Sequence, residues 1–201
     1  MIDTVIYDLG NVLIPWDPRR LYRKIFDDEA RMEHFLTEIC PMSWHAQQDA
    51  GRSFAEATEE RLSRFPEHAE PIRAFYGRWA EMFDAPIAGS LAMLEDMKRR
   101  GLRLYALTNW SGEDFETAYE RFPFLHHFEG IVVSGKEGLV KPDRRIYELL
   151  FERYAVEPTR AAFVDDSLPN VEAARVLGLK GVHFRDAEQA RAEFVRLGVL
   201  D

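Results

Sequence analysis

The 201-residue sequence predicts an α/β fold, a doubly wound parallel sheet interrupted by a helical insert. Three observations predict it. From Ser90 to the C-terminus, short apolar stretches rich in β-branched residues alternate with amphipathic ones, the order of successive βαβ units. A stretch of the same kind, Thr4-Val5-Ile6-Tyr7, opens the chain. Between it and the next predicted strand, Arg103–Leu107, lie roughly ninety residues of helical pattern, where a simple crossover needs about a dozen.

The first stretch is too short for a helix before Gly10 and reads as a buried strand. It ends in Asp8. A carboxylate closing an apolar strand is costly unless paired or metal-bound, and ligands sit at the carboxyl ends of strands in open α/β sheets. Asp-x-Gly-Asn would equally serve as a plain turn, so on this stretch alone both readings stand.

After Pro15 the pattern turns helical. Asp17-Pro18 supplies an N-cap and a first-turn proline for a helix carrying Leu21, Ile25 and Phe26. Met32, Phe35, Leu36 and Ile39 have the spacing of one buried face, stopped by Pro41. Ser53-Phe54-Ala55-Glu56 is a capping box. Ile72, Phe75, Tyr76, Trp79 and Phe83 form a further apolar stripe, expected to be core rather than a cofactor box. Residues 15–88 are therefore expected to form a small second domain and residues 1–14 with 89–201 the sheet domain. Leu9–Pro15 and Ala85–Gly89 have the composition of hinges.

The alternation then runs its course. A helix from Leu91 to Arg100 ends at Gly101, a strand covers Leu102–Leu107, and a helix opens after Ser111 with Asp114 in its first turn. Strand Gly130–Val133 leads through a glycine-containing loop to Lys141-Pro142 and a helix bearing Ile146, Leu149 and Leu150. Strand Ala161–Val164 ends in Asp165-Asp166. Helix Val171–Leu177, strand Gly181–Phe184 and helix Ala187–Leu197 complete the pattern.

A formal net charge of −9 without any Lys/Arg-rich run argues against nucleic acid and anionic membrane as partners. A phosphorylated substrate then needs local positive charge or a metal. No apolar run approaches bilayer length and no leader pattern precedes the first strand, so a cytoplasmic location is expected. The lone Cys40, beside Pro41, suits a reducing compartment and reads as a small buried hydrophobe.

In a parallel sheet the strand ends share one edge, which here gathers Asp8, Thr108-Asn109, Lys141 and Asp165-Asp166. Each has a bland reading alone: Thr108 as a strand former, Lys141 as a surface charge, Asp165-Asp166 as a turn. Together they match phosphoryl chemistry. Hard oxygen ligands hold Mg²⁺, a hydroxyl with neighbouring backbone N–H groups binds phosphate oxygens, and a lysine offsets charge near the nucleophile.

Val5-Ile6-Tyr7-Asp8-Leu9-Gly10-Asn11-Val12-Leu13 resembles the first motif of the haloacid dehalogenase-like (HAD) hydrolases. Leu107-Thr108-Asn109 is similar to the second, Lys141-Pro142 to the third and Phe163-Val164-Asp165-Asp166-Ser167 to the fourth, in matching order and spacing. The resemblance implies a Rossmann-like core with an α-helical cap inserted after the first motif. It implies attack by Asp8 on phosphorus, an aspartyl-phosphate intermediate and its hydrolysis by water, with Thr108 and Lys141 assisting. It implies Mg²⁺ held by Asp8, the Gly10 carbonyl, Asp165 and Asp166, and a small phosphorylated substrate contacted by Leu9, Gly10, Asn11 and Asn109.

Gly10 departs from the pattern. Family phosphatases usually carry a second Asp there as general acid/base, so the proton donor is missing although the carbonyl remains. Asp-Leu-Gly-Asn-Val is also the form of a branch resembling the bacterial α-D-glucose-1-phosphatases, where an anomeric oxygen leaves without much help; a sugar 1-phosphate is the expected substrate. A 2-haloacid dehalogenase, which also lacks that Asp and needs no metal, is the alternative. Asp165-Asp166 would repel its carboxylate substrate. A third reading is a catalytically silent binding module, told apart by whether Asp8 accepts phosphate. Specificity is expected from the cap, where Trp44, His45, Gln48, Asp49 and Arg52 are candidates to reach a polar substrate, against a solvated loop over a packed Trp44. Trp110 is expected to line the entrance, and His126 and His127 to be structural.

Overall fold

The computed structural model describes Met1–Asp201. Strand β1 (Thr4–Tyr7) is followed by α1 (Arg19–Tyr22), α2 (Glu29–His34), α3 (Met42–Asp49), α4 (Phe54–Arg64), α5 (Ala69–Gly77) and α6 (Ala88–Arg99). Next come β2 (Arg103–Thr108), α7 (Phe115–Arg121), β3 (Gly130–Val133), α8 (Ser134–Glu137) and α9 (Arg144–Tyr154). The chain finishes with β4 (Ala161–Asp165), α10 (Leu168–Val176), β5 (Lys180–His183) and α11 (Ala187–Arg196).

The five strands pair in parallel in the order β3-β2-β1-β4-β5, the predicted α/β architecture. Side chains alternate across the sheet, so Val5 and Tyr7 face one layer and Ile6 the other. The first layer packs with Met93, Leu94 and Met97 of α6 and Phe194 of α11; the second takes Ile146, Tyr147 and Leu150 of α9 and Ala174 of α10. Both faces are thereby covered, which explains the nearly unbroken apolar strands. Strand order reverses between β1 and β4. Ligands of open parallel sheets bind at such a reversal, and Asp8 and Asp165 stand on either side of it.

The helical block between β1 and α6 has an apolar cluster of its own, including Leu21, Tyr22, Phe35, Trp44, Ile72, Phe75 and Met82. Beyond α2 the chain widens into a π-helical turn, Phe35–Ile39, that buries Phe35, Leu36 and Ile39. The capping box at Ser53 and Glu56 forms as predicted. No helix is long and apolar enough to cross a membrane.

Several local expectations are corrected. The helix after Asp17 ends at Tyr22, so Ile25 and Phe26 lie beyond it; the Asp17 carboxylate accepts from Arg19 N at 2.9 Å. Helix α6 starts at Ala88, which removes Ala88 and Gly89 from the expected hinge. The loop expected after β3 contains α8, closed by Gly138 at φ 67°. Helix α7 starts only at Phe115. Asp114 precedes it without capping a backbone N–H, because its carboxyl is turned inward beside the indoles of Trp110 and Trp79.

Candidate functional site

Lys141 organises the strand ends. The Asn109 side chain clamps its backbone at two points, donating from Nδ2 to Lys141 O at 3.1 Å and accepting from Lys141 N at 2.8 Å. The buried ammonium spends its three protons on Asp8 Oδ1 at 2.8 Å, Asp165 Oδ2 at 2.7 Å and Leu107 O at 2.7 Å. Asp165 also accepts from Ser167 N at 2.8 Å and from Asn170 Nδ2 at 3.0 and 3.1 Å. Both its oxygens are therefore taken. Carboxylate oxygens of Asp8, Asp165 and Asp166 lie within 4.8 Å of one another, a set of hard donors that fits a divalent cation.

The electrostatics follow from burial. Desolvation pushes the Asp8 carboxyl up to about 7 although Lys141 pulls it down, and Asp165 and Asp166 add to the rise. Burial acts to lower Lys141, but the attraction of Asp8 and Asp165 outweighs it and holds the ammonium raised. Asp166 is raised by burial and by Asp165. One cation faces three carboxylates, so the site is short of positive charge.

Above this cluster lies a cavity of about 490 Å³. The sheet domain contributes Asp8, Gly10, Asn11, Asn109, Trp110, Lys141 and Asp166; the helical block and its connections contribute Trp16, Met42, His45, Asp49, Trp79 and Phe83. Trp110 stacks on Phe83 at 5.5 Å and Trp16 on His45 at 5.2 Å. Burial pushes His45 down to about 4, so its ring is neutral at ordinary pH, and burial pushes Asp49 up to about 7.

Among the residues expected to reach substrate, Gly10, Asn11, Asn109, Trp110 and His45 line the cavity. Leu9 does not: its side chain is fully buried in the core and its carbonyl accepts from Leu13 N and Ile14 N. Arg52 is also corrected. Its guanidinium is held by Gln47 Oε1, Glu60 Oε2 and Glu56 O, away from the cavity. Trp44 and Gln48 are buried in the block. Thr108 is buried at the end of β2 with no partner for Oγ1. Cys40 is buried and pushed up to about 12, an inert thiol as expected.

The sequence reading missed Trp16, Met42 and Asn170, and it assigned Trp79 and Phe83 to the core although both line the cavity. The stripe spacing held their only signal, and spacing does not distinguish a core from a cavity wall. Asn170 follows Asp165 by five residues and lies in the first turn of α10, where nothing in the local pattern marks it.

The fold is thus a parallel α/β sheet with a carboxylate–lysine cluster at the reversal of its strand order. The chain belongs to the haloacid dehalogenase-like hydrolase family, whose model matches residues 2–178. Phosphatases are among its relatives. It is 29% identical to a sesquiterpene phosphatase from Aspergillus oryzae (strain ATCC 42149 / RIB 40) over 183 residues, covering 90% of this chain and 89% of that one. It is 31% identical over 132 residues, 65% of this chain, to a phosphoserine phosphatase from Thermus thermophilus, of which it spans only 52%. A HAD-family enzyme from Bacteroides thetaiotaomicron, solved as an alanine variant with magnesium and inorganic phosphate, superposes with a TM-score of 0.71 at 20% identity, over 92% of this chain and 95% of that one.

Proposed function

We propose that the protein is a Mg²⁺-dependent phosphomonoester hydrolase in which Asp8 attacks phosphorus, with residues 15–88 as a cap that sets specificity. The observation that carries this reading is the Lys141 bridge. It fixes one oxygen of Asp8 and leaves the other without a hydrogen-bond partner at the cavity, as an in-line nucleophile requires.

The donor set fits Mg²⁺. Asp8, the Gly10 carbonyl and Asp166 are the direct protein ligands in this reading, since Asp165 has both oxygens engaged and serves to hold Lys141. When bound, the cation supplies the missing positive charge and polarises the phosphoryl group. Thr108 Oγ1, buried at the end of β2 outside the cavity lining and without a protein partner, would donate to a phosphate oxygen in this reading. Asp8 forms the O–P bond as the P–O bond to the organic group breaks. Water then cleaves the aspartyl-phosphate, releasing phosphate and restoring Asp8. Buried, reduced Cys40 is consistent with a cytoplasmic setting.

Two substrate readings follow. Gly10 in place of an acid supports a sugar 1-phosphate, whose anomeric oxygen leaves readily. The aromatic walls, Trp16, Trp79, Phe83 and Trp110 with Met42, support a phosphate ester with an apolar organic part, and the similar Aspergillus protein is a sesquiterpene phosphatase. Phosphate release should be measured with and without Mg²⁺ on sugar 1-phosphates, alkyl and prenyl phosphates, with chloride release from 2-chloropropionate in parallel. Mg²⁺-dependent phosphate release abolished by Asp8→Asn is expected. Full turnover in excess chelator, or chloride release alone, would sink the reading.

A further inference from the structure

An oxygen leaving phosphorus as an alkoxide must take a proton, and Gly10 offers none. The donor has to be sought among the groups that line the cavity. Lys141 is not free, because its three protons are engaged with Asp8, Asp165 and Leu107. Asp8 is the attacking group, and Asp166 belongs to the carboxylate cluster beside it. His45 is a neutral ring packed between Trp16 and Trp79, with Nδ1 3.4 Å from Tyr76 Oη. One titratable group remains, Asp49 at the C-terminal end of α3.

Asp49 lines the same cavity as Asp8. Its side chain is 16% exposed, no hydrogen bond engages its carboxyl, and His45 Nε2 stands 3.8 Å away. Its backbone is fixed to the sheet domain, since Ser134 Oγ donates to Asp49 O at 2.5 Å.

We propose that Asp49, reaching the site from the helical block, is the general acid that protonates the leaving oxygen and the base that then takes a proton from the attacking water. The assignment rests on the phosphatase reading. In the first half-reaction the Asp8–P bond forms, the P–O bond breaks and the Asp49 proton passes to the departing alkoxide, giving a neutral alcohol. In the second, water attacks the aspartyl-phosphate, its proton passes to the Asp49 carboxylate, and phosphate leaves with Asp8 and Asp49 back in their starting states. Burial favours the required neutral form: it pushes Asp49 to about 7, assisted by Asp114 and opposed by Lys141. Position 10 has room for an acid. A Cβ on Gly10 meets nothing within 4 Å, and its φ lies outside the left-handed region.

The test compares two substrates in one preparation, an alkyl phosphate that needs the proton and p-nitrophenyl phosphate that does not. The ratio of the two rates is independent of the fraction folded. Asp49→Asn should lower kcat/KM, which reports the leaving-group step and not the later hydrolysis common to both substrates, by ~10²–10⁴-fold on the alkyl phosphate and by less than about tenfold on the aryl phosphate, and Gly10→Asp added to Asp49→Asn should recover much of the alkyl kcat/KM. Equal losses on both substrates, or none on either, overturn the assignment while leaving the phosphatase reading intact. A wild-type enzyme inactive on both overturns the two together.

The pH profile gives a second readout. His45 of α3, Tyr76 of α5, Asp114 before α7 and Lys141 all face Asp49, and Asp114 is itself pushed by burial to about 7. The alkaline limb of the alkyl-phosphate profile should therefore vanish in Asp49→Asn and persist in Asp114→Asn. A limb that vanishes only in Asp114→Asn overturns the proposal.

Discussion

At the scale of residues, stability and chemistry are set by carboxylates held out of water. Lys141 neutralises two of them, so Lys141→Met should leave Asp8 and Asp165 buried without a cation and cost about 3–5 kcal/mol at pH 8. That loss should shrink at pH 5, where Asp8, already pushed to about 7, carries a proton; denaturant titration at the two pH values checks it. Asp49 has no such cation in contact. Its carboxyl is neutral in both states below 3.8, and as pH rises towards 7 folding must take up a proton that the unfolded chain has released. The stability carried by the neutral form is lost across that window. Asp49→Asn should accordingly stabilise the protein, more at pH 8 than at pH 5, with a ceiling of about 4 kcal/mol. An equal gain at both pH values would mean that the carboxyl is not neutral in the fold. Asp8 stood out in the sequence because a carboxylate closes an apolar strand, whereas Lys141 and Asp165 have bland readings alone and stood out only by gathering with Asp8 at one sheet edge. Asp114 did not. An acid near a helix start is ordinarily solvated, and only tertiary packing turns this one inward beneath two indoles.

At the scale of elements, the loop after β2 and the α8 turn that follows β3 touch backbone to backbone. Gly135 N donates to Trp110 O at 3.0 Å, and a Cβ at position 135 would stand 2.4 Å from Gly112 N and 2.8 Å from Trp110 O. Gly135→Ala must therefore push the two segments apart, displacing Trp110 from Phe83 and opening one wall of the cavity. We expect a lower Tm and a raised KM for an apolar phosphate, with Mg²⁺ affinity little altered because the carboxylates lie on other strands; unchanged Tm and KM would show that the two segments yield freely. Strands and sheet-packing helices were legible since apolar periodicity encodes burial directly. The aromatic wall was hidden because Trp79 and Phe83 continue the stripe of Ile72 and Phe75, and only the break into a 3₁₀ turn at Trp79–Met82 redirects them.

At the scale of the molecule, the sheet domain and the helical block each bury an apolar cluster of their own. Native-state hydrogen exchange should find β1, β2 and β4 opening only with global unfolding and the α4 amides at lower free energy. Uniform protection would argue for one cooperative unit. Contacts between the two parts near the cavity include Ser134 Oγ with Asp49 O, Phe54 N with Glu113 Oε1, and Phe83 against Trp110. The first of these joins fit and chemistry in a single residue, for the main chain of Asp49 anchors the block while its side chain carries the proton. The arrangement is an interlock. A bulky ester that wedges the block away from Ser134 would still present its phosphorus to Asp8 but would meet no acid, so oversized substrates should be rejected at the chemical step rather than at binding and should behave as tight, slowly turned-over inhibitors unless their leaving group departs unaided.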